Sequence, residues 1–297
     1  MELSGMEGWD FGEVDHLSIY TLLDDYAGYE TRFYGQHGIS FLVDVVAGEV
    51  RRRILFDVGQ SGEPILYNME KMGLGPGEVN MVFLSHCHYD HTGGLLEILR
   101  AIGKEVPVIA HPRIFRKNLV RSGSRNVGLP YTKEEAEEYG ARWILDSQPR
   151  GLMEGVITTG EIPREERVDF ERETTLGLYT IEAGKLVRDY MLDDMSLAVR
   201  TREGLVVVSG CSHAGIVSIV EKAKRITGSR EVRAVVGGFH LIDADDRRIE
   251  RTVEALREMR VGRIYTDHCT GLRAECRFLR EFRERFEKLH SGRIIKL

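Results

Sequence analysis

The 297-residue sequence is short of several things, and each shortage removes a class of protein. No apolar run approaches the roughly 20 residues that cross a bilayer. The acidic N-terminus MELSGMEGWDFGEVD has no basic segment followed by an apolar one. Neither a membrane span nor a secretory signal is expected, and the location expected is cytoplasmic. Cysteine is scarce: the four residues, at 87, 211, 269 and 276, include no pair at zinc-finger spacing and no disulfide framework. They read as reduced thiols, one of them a candidate ligand. A basic excess is missing too. With 41 Lys and Arg against 47 Asp and Glu the formal net charge is -6, which offers no field to nucleic acid or an anionic lipid surface. The triplet Arg51–Arg53 reads as the charged rim of a hairpin, not a polyanion site. No period of roughly 20 to 50 residues recurs, so a solenoid is excluded. No heptad stands out, and the oligomeric state stays open.

What is present is a chain with 42% hydrophobic residues, ample for a large core. Apolar alternation predicts strands over His16–Asp25, Ile39–Val46 and Arg53–Val58, linked by turns short enough for an antiparallel start. A helix over Glu63–Met72 follows, then a buried strand, Val82–Leu84, a helix, Leu95–Ile102, and a strand, Val106–Ala110. Residues 121 to 194 are the least regular part, and a stretch of that length without strong periodicity suits a lid or substrate-binding insertion in one domain spanning 1–297. Order returns with strands at Ser196–Arg200 and Leu205–Ser209, a helix at Ile216–Ile226, and strands at Val232–Val236 and Arg263–Thr266. Charge-rich helices are expected over Arg247–Arg260 and Arg273–Lys288.

The chemistry concentrates between Met81 and Gly94, MVFLSHCHYDHTGG. An apolar strand delivers His86, His88, Asp90 and His91 within six residues, and a loop leaving a strand end lets such closely spaced side chains converge. Imidazole nitrogens and a carboxylate are ordinary ligands for zinc and its first-row neighbours. A turn with no metal to bind has no need of three of the chain's ten histidines. The pairing of strand end, glycine and histidine recurs: GCSHAG presents Cys211 and His213, GGFH presents His240, and DHCTG presents His268. Several such ends in one chain suggest strands aiming ligands at a common sheet edge. Asp57, in FDVG, reads equally well as a turn residue or as an acceptor fixing the tautomer of a metal-bound histidine.

SHCHYDHTGG matches the H-x-H-x-D-H signature and so resembles the metallo-β-lactamase-fold superfamily. ILFDVGQSG, TGEIPR, VVSGCSHAGIV, GGFH and DHCTG together look like its dihydropteroate-synthase-like branch, and the resemblance covers nearly the whole chain. It implies an α+β fold, an αββα sandwich of two mixed β-sheets flanked by helices, with one or two divalent metal ions at one edge. The ions expected are zinc, with iron, manganese or magnesium as alternatives. The resemblance makes His86 and His88 ligands of a first metal and Asp90 and His91 of a second, with His268 as the last histidine. Where the family carries another histidine this chain has Asp193, Asp194 and Met195, and where it carries a bridging aspartate this chain has Cys211. His213 is expected to complete the first site. His240 and Arg164 are expected to face substrate, with Asp90 and His240 in catalytic roles.

The implied activity is that of a metal-dependent enzyme acting on a phosphorylated or diphosphate small molecule, like the branch that condenses a dihydropterin diphosphate with ribofuranosylaminobenzene phosphate in methanopterin biosynthesis. Two alternatives stay open: a metal-dependent hydrolase of a phosphoester or other ester, and a non-catalytic, metal-stabilised binding or sensing protein. No nucleic-acid or membrane partner is expected.

Overall fold

The computed structural model describes residues 11–120, 124–175, 177–266 and 268–297. The first ten residues, residues 121–123 and Leu176 of the expected insertion, and Asp267 lie outside the described residues.

Period-two alternation decides what each strand buries. In Ser40–Ala47, Phe41, Val43 and Val45 point into one core while Leu42 points into another. In Gly204–Ser209, Val206 and Val208 enter the first of these cores, and Leu205 and Val207 a third. A strand apolar on both faces must be covered on both. Three cores follow: one between two sheets and one behind each sheet under its helices. The layers are helix, sheet, sheet, helix. Each fully buried Val, Leu or Phe contributes about 1.5–3 kcal/mol, so the sheets are held face to face by their own patterning.

The first seven-stranded sheet runs in the order Ile294–Lys296, His16–Leu23, Ser40–Ala47, Val50–Phe56, Met81–Phe83, Val106–Ala110, Ala141–Leu145. The second runs Phe286–Lys288, Arg263–Thr266, Val232–Gly237, Gly204–Ser209, Leu197–Thr201, Val156–Thr158, Gly151–Met153. Both are mixed; in the second, the four strands from Gly204–Ser209 to Phe286–Lys288 are mutually parallel. Helices Gly62–Lys71 and Leu95–Ile102 bury Ile65, Met69, Leu95, Ile98 and Leu99 behind the first sheet. Helices Ile216–Thr227, Asp246–Glu258 and Leu272–Phe282 do the same behind the second. This is the α+β sandwich expected from the sequence.

Arg51 and Arg53 also serve within the sheet, since both bond to the buried Asp44 on the neighbouring strand, Arg51 Nε at 2.8 Å and Arg53 Nε at 3.2 Å. Two expectations change. The helix expected to reach Lys288 stops at Phe282, where Arg283 turns to positive φ, and Phe286–Lys288 becomes an edge strand because Phe286 packs against the core behind the sheet. The stretch 121–194 also divides. Ala141–Leu145 joins the first large sheet and Gly151–Met153 and Val156–Thr158 the second, while Arg125–Asn126, Leu178–Glu182 and Lys185–Arg188 form a separate four-stranded sheet with Leu119–Val120. Backbone pairing, invisible to periodicity in strands of two to five residues, makes that division. Among the described residues no helix is long and apolar enough to cross a membrane.

Candidate metal centre

Every strand end picked out by its histidine or cysteine opens on one place. The loop after Met81–Phe83 carries His86 and His88, and the single helical turn Tyr89–Thr92 carries Asp90 and His91. Cys211 and His213 follow Gly204–Ser209, His240 follows Val232–Gly237, and His268 follows Arg263–Thr266. Sites in layered α/β structures gather at the carboxyl ends of parallel strands for this reason. The chain turns sharply to do so. Asp57, Ser212, His240 and His268 all have positive φ, between 47° and 60°, a conformation that non-glycine residues hold only where the surroundings impose it. Gly210 has no room for a side chain: a Cβ there would run into Ser85 Oγ and Asp57 Oδ2, which belong to the opposite sheet's strand ends.

Three ligand groups share Cys211, one of them with His240 and Cys269, and the other two build the centre. In one, ligand atoms of His86, Cys211 and His213 lie within 4.8 Å of one another, and His88 Nδ1 is 3.2 Å from His213 Nε2. In the other, Asp90, His91, Cys211 and His268 converge within the same limit. Cys211 Sγ is 3.1 Å from His91 Nε2 and 3.3 Å from His268 Nε2, and Asp90 Oδ2 is 3.3 Å and 3.5 Å from the same two nitrogens.

The outward nitrogens of His86, His88, His91 and His268 are tied down, while the outward Nδ1 of His213 is buried without a partner. His91 Nδ1 donates to Asp57 Oδ2 at 2.7 Å, His268 Nδ1 to Asp25 Oδ1 at 3.0 Å, and His88 Nε2 to Asn118 Oδ1 at 3.0 Å. Ser85 Oγ donates to Asp57 Oδ2 at 2.7 Å and accepts from His86 Nδ1 at 2.9 Å, so one aspartate orients two imidazoles. This is how outer residues fix tautomer and ring orientation around a metal. The inward nitrogens of His91 and His268 face only the other candidate ligands, Cys211 and Asp90. His86 Nε2 is buried without a hydrogen bond, and the facing nitrogens of His88 and His213, 3.2 Å apart, have only each other as partners. Imidazole, carboxylate and thiol around one space fit zinc or a first-row neighbour. Bound divalent ions would be held by His86, His88 and His213 on one side and Asp90, His91 and His268 on the other, with Cys211 between.

The electrostatics of the two sides differ. Burial, then the neighbouring histidines, hold His86 and His213 well below the usual imidazole value, and burial lowers His88 as well. On the other side burial is outweighed: Asp90 and Asp57 raise His91 to about 9, and Cys269, Asp25 and Asp90 raise His268. Burial and the adjoining Cys269 push the Cys211 thiol up, so it needs a metal to ionise.

Asp193 and Asp194 do not reach the cluster but brace its loops. Asp193 accepts from the Cys87 amide at 2.9 Å and pairs with Arg116 at 2.6 Å, and Asp194 accepts from the Ala214 amide at 2.7 Å. His240 lies beside the centre, its ring 4.2 Å from that of His213 and its buried Nδ1 without a hydrogen bond. Arg164 stands apart on an exposed turn, paired with Glu173 and lying over the Tyr190 ring. Sequence reasoning missed Asp25, Asn118, Cys269 and His37. Asp25 closes the run LLDD and Cys269 lies inside DHCTG, so a signal was present for both. His37 bonds Asp25 at 3.2 Å and approaches Asp90 at 3.5 Å from a loop with no motif.

Comparison with known proteins gives the family and the fold. The model of the metallo-beta-lactamase superfamily matches residues 38–268. The 7,8-dihydropterin-6-methyl-4-(β-D-ribofuranosyl)-aminobenzene-5'-phosphate synthase of Methanocaldococcus jannaschii is 48% identical over 293 residues, 97% of this chain and 99% of that protein. A crystal structure described as a metal-dependent hydrolase of the beta-lactamase superfamily superposes with a TM-score of 0.79 at 30% identity, over 95% of this chain and 99% of that one. Zn2+-bound PqqB from Methylobacterium extorquens, at 13% identity with a TM-score of 0.53 over 94% of this chain and 100% of its own, shares the fold. With its family model, its relatives and its ligand-bearing strand ends in agreement, the chain belongs to the metallo-beta-lactamase superfamily.

Proposed function

We propose that this protein is a metal-dependent synthase that joins a dihydropterin carrying a diphosphate on its 6-methylene group to 4-(β-D-ribofuranosyl)aminobenzene 5'-phosphate. The observation that carries the proposal is 48% identity to the named synthase across nearly the full length of both chains. In the reaction the arylamine nitrogen attacks the methylene carbon, the carbon–oxygen bond to diphosphate breaks, and the amine gives up a proton. Zinc is the metal proposed, because a shared thiol beside five imidazoles favours it over magnesium. Bound divalent ions supply Lewis acidity and counter-charge for the departing oxyanion.

The chain's own residues do the rest. Asp57, Asn118 and Asp25 hold the outward nitrogens of His91, His88 and His268 and so aim the inward ones. His240, with a free Nδ1 next to His213, is placed to take the proton from the attacking amine, a role suited to a histidine near neutral pH. Asp90, between His91, His268 and His37, orders the second half of the centre. The four-stranded sheet is the part proposed to cover substrate: Thr180 on it bonds Lys117 O, one residue from Asn118. Arg164 is proposed to meet a substrate phosphate from the same side.

The test is direct. Zinc-loaded protein is supplied with the pterin diphosphate and the aminobenzene ribofuranoside phosphate, and products are followed by mass spectrometry. Condensed product with diphosphate release, absent in His86→Ala, is expected. Diphosphate release alone, with no carbon–nitrogen bond formed, would leave a hydrolase.

A further inference from the structure

The parallel strands that end in Cys211, His240 and His268 have arginines gathered around their starts. At that opposite end of the sandwich a cavity of about 1060 Å³ opens between the strand starts and the last strand, Ile294–Lys296. Its wall includes seven basic side chains and only two acidic ones, Glu203 and Glu231, in a chain whose net charge is -6. Glu203 is taken by Arg233 at 3.0 Å, and Arg293 turns to Glu287. Among the described residues no carboxylate comes within ion-pair distance of Arg230, Arg260, Arg263, Arg285 or Lys296. Arg285 is fixed through Val261 O at 3.0 Å, and Arg263 reaches the Tyr265 hydroxyl at 3.5 Å.

On the outer helices Arg277, Arg273, Arg251 and Arg225 each pair with an acid; what sets the cavity apart is the number of basic side chains around one space. One member is held there against its backbone preference. Arg260 has φ 55° just beyond the helix Asp246–Glu258, a position where glycine is the usual residue. Guanidinium groups carry fixed forks of donors that match phosphate oxygens and are less strongly hydrated than ammonium, so several around one space select a multiply charged, compact oxyanion. Strand Val232–Gly237 separates the cavity from the metal centre by about 17 Å at roughly 3.3 Å per residue, and one bound molecule of that size cannot serve both.

We propose that this cavity binds a small polyphosphate, two or more linked phosphoryl groups either free or on a nucleoside, at a site separate from the metal centre. Arg260 and Arg263 grip it from the loop between helix and strand, and Arg230, Arg285 and Lys296 close around its remaining charge. The proposal is independent of which reaction the metal centre performs.

The experiment is calorimetric titration of the full, zinc-loaded chain with inorganic tripolyphosphate, orthophosphate and ATP at low and high salt. His86→Ala stripped of its remaining metal by chelator serves as the form whose metal centre is disabled. The expected result is a one-to-one event for tripolyphosphate that survives His86→Ala, weakens at least tenfold in Arg260→Gln/Arg263→Gln, and weakens as salt rises. Orthophosphate should bind at least tenfold more weakly. Equal affinity for ATP and tripolyphosphate would identify a bare polyphosphate, and tighter ATP a nucleotide. Both arginines are exposed, and Lys296→Gln is a second variant should the double substitution lower the melting temperature. Binding lost in His86→Ala but unchanged in the arginine variants would overturn the proposal. So would orthophosphate binding as tightly as tripolyphosphate, or a single-stranded RNA that displaces tripolyphosphate at lower concentration.

Discussion

The two halves of the metal centre are built from the same kind of residue and are prepared for a cation in opposite ways. Around His86, His88 and His213 there is no ligand carboxylate, and burial keeps the three imidazoles neutral. Around His91 and His268 burial is outweighed, for His91 by the carboxylates of Asp90 and Asp57 and for His268 by Cys269 and then Asp25 and Asp90, which favours the protonated imidazoles while no metal is bound. The first half is a socket in which His86 Nε2 is unsatisfied, and a cation entering there replaces only the hydrogen bond between His88 and His213. The second half already balances its charges with protons, and a cation must expel them. Metal uptake by the two halves should therefore respond differently to pH and to mutation.

The largest effect is expected from the socket. His86→Ala removes a ligand whose inward nitrogen has no other partner, and turnover should fall by about a thousandfold, the equivalent of several kcal/mol of lost metal assistance. Elemental analysis should show one half empty and the other still loaded; loss of both metals would show that the halves are not separable. Cys211 is the shared element. In Cys211→Ala both halves should lose metal together and activity should drop by about a hundredfold or more, whereas Cys211→Asp, which keeps an anionic bridge, should retain two ions. If Cys211→Ala keeps full metal content, the two ligand groups are not joined through sulfur.

A step further out, Asp57→Asn leaves every ligand in place but removes the acceptor that orients His91 and, through Ser85, His86. A loss of about ten- to a hundredfold in metal affinity or rate is expected. Because it acts on both halves, an effect confined to one of them would break the link through Ser85.

The comparison is sharpened by pH. His91 titrates at about 9 in the folded, metal-free protein against 6.5 when unfolded, burial opposing and Asp90 and Asp57 prevailing. A folded value above the unfolded one gives stabilisation that is complete below pH 6.5 and lost as pH rises through about 9. Summed over that window the loss is roughly 3 kcal/mol at about 1.36 kcal/mol per unit. Asp194, raised to about 7 by burial, also loses its contribution with rising pH, and melts taken from about pH 7.5 to 9.5 avoid most of it. The melting temperature of metal-free protein should fall over this range. In the zinc-loaded form, where metal replaces the proton, it should not. The smallest effect is expected at Arg164, paired with exposed Glu173: Arg164→Ala should raise KM for the phosphorylated substrate severalfold, leave kcat unchanged, and shift stability by no more than about 0.5 kcal/mol.

Much of this centre could be read from the chain, and the part that could not has a common cause. His86, His88, Asp90 and His91 fall within six residues, and Cys211, His213, His240 and His268 each follow an apolar strand and a glycine or turn. Local pattern is enough to find them. Asp25 meets His268 across 243 residues, and Asn118 meets His88 across 30, through contacts that exist only once the strands have paired. The aspartate that closes the run LLDD is marked as a polar strand end but not by its partner, and an asparagine in an irregular loop carries no mark at all. Most strands of the two large sheets were legible from apolar runs or alternation, the short Met81–Phe83 among them, whereas the five-residue Ala141–Leu145, with Arg142 in its run, was not. Others of two or three residues, such as Val156–Thr158 and Ile294–Lys296, owe their form to a neighbour already in place.

Gly210 sets the tolerance to which the two sheets are assembled. It stands on the second sheet against Ser85 Oγ and Asp57 Oδ2 from the first, and those two atoms are the hinge on which both His86 and His91 are aimed. A single methyl group added there would act as a shim, forcing the sheets apart at one corner while leaving the three cores nearly whole. The molecule would keep its shape and lose its aim. In this architecture the accuracy of the chemistry is a matter of clearance between two large rigid parts, and the smallest residue in the chain keeps the gauge.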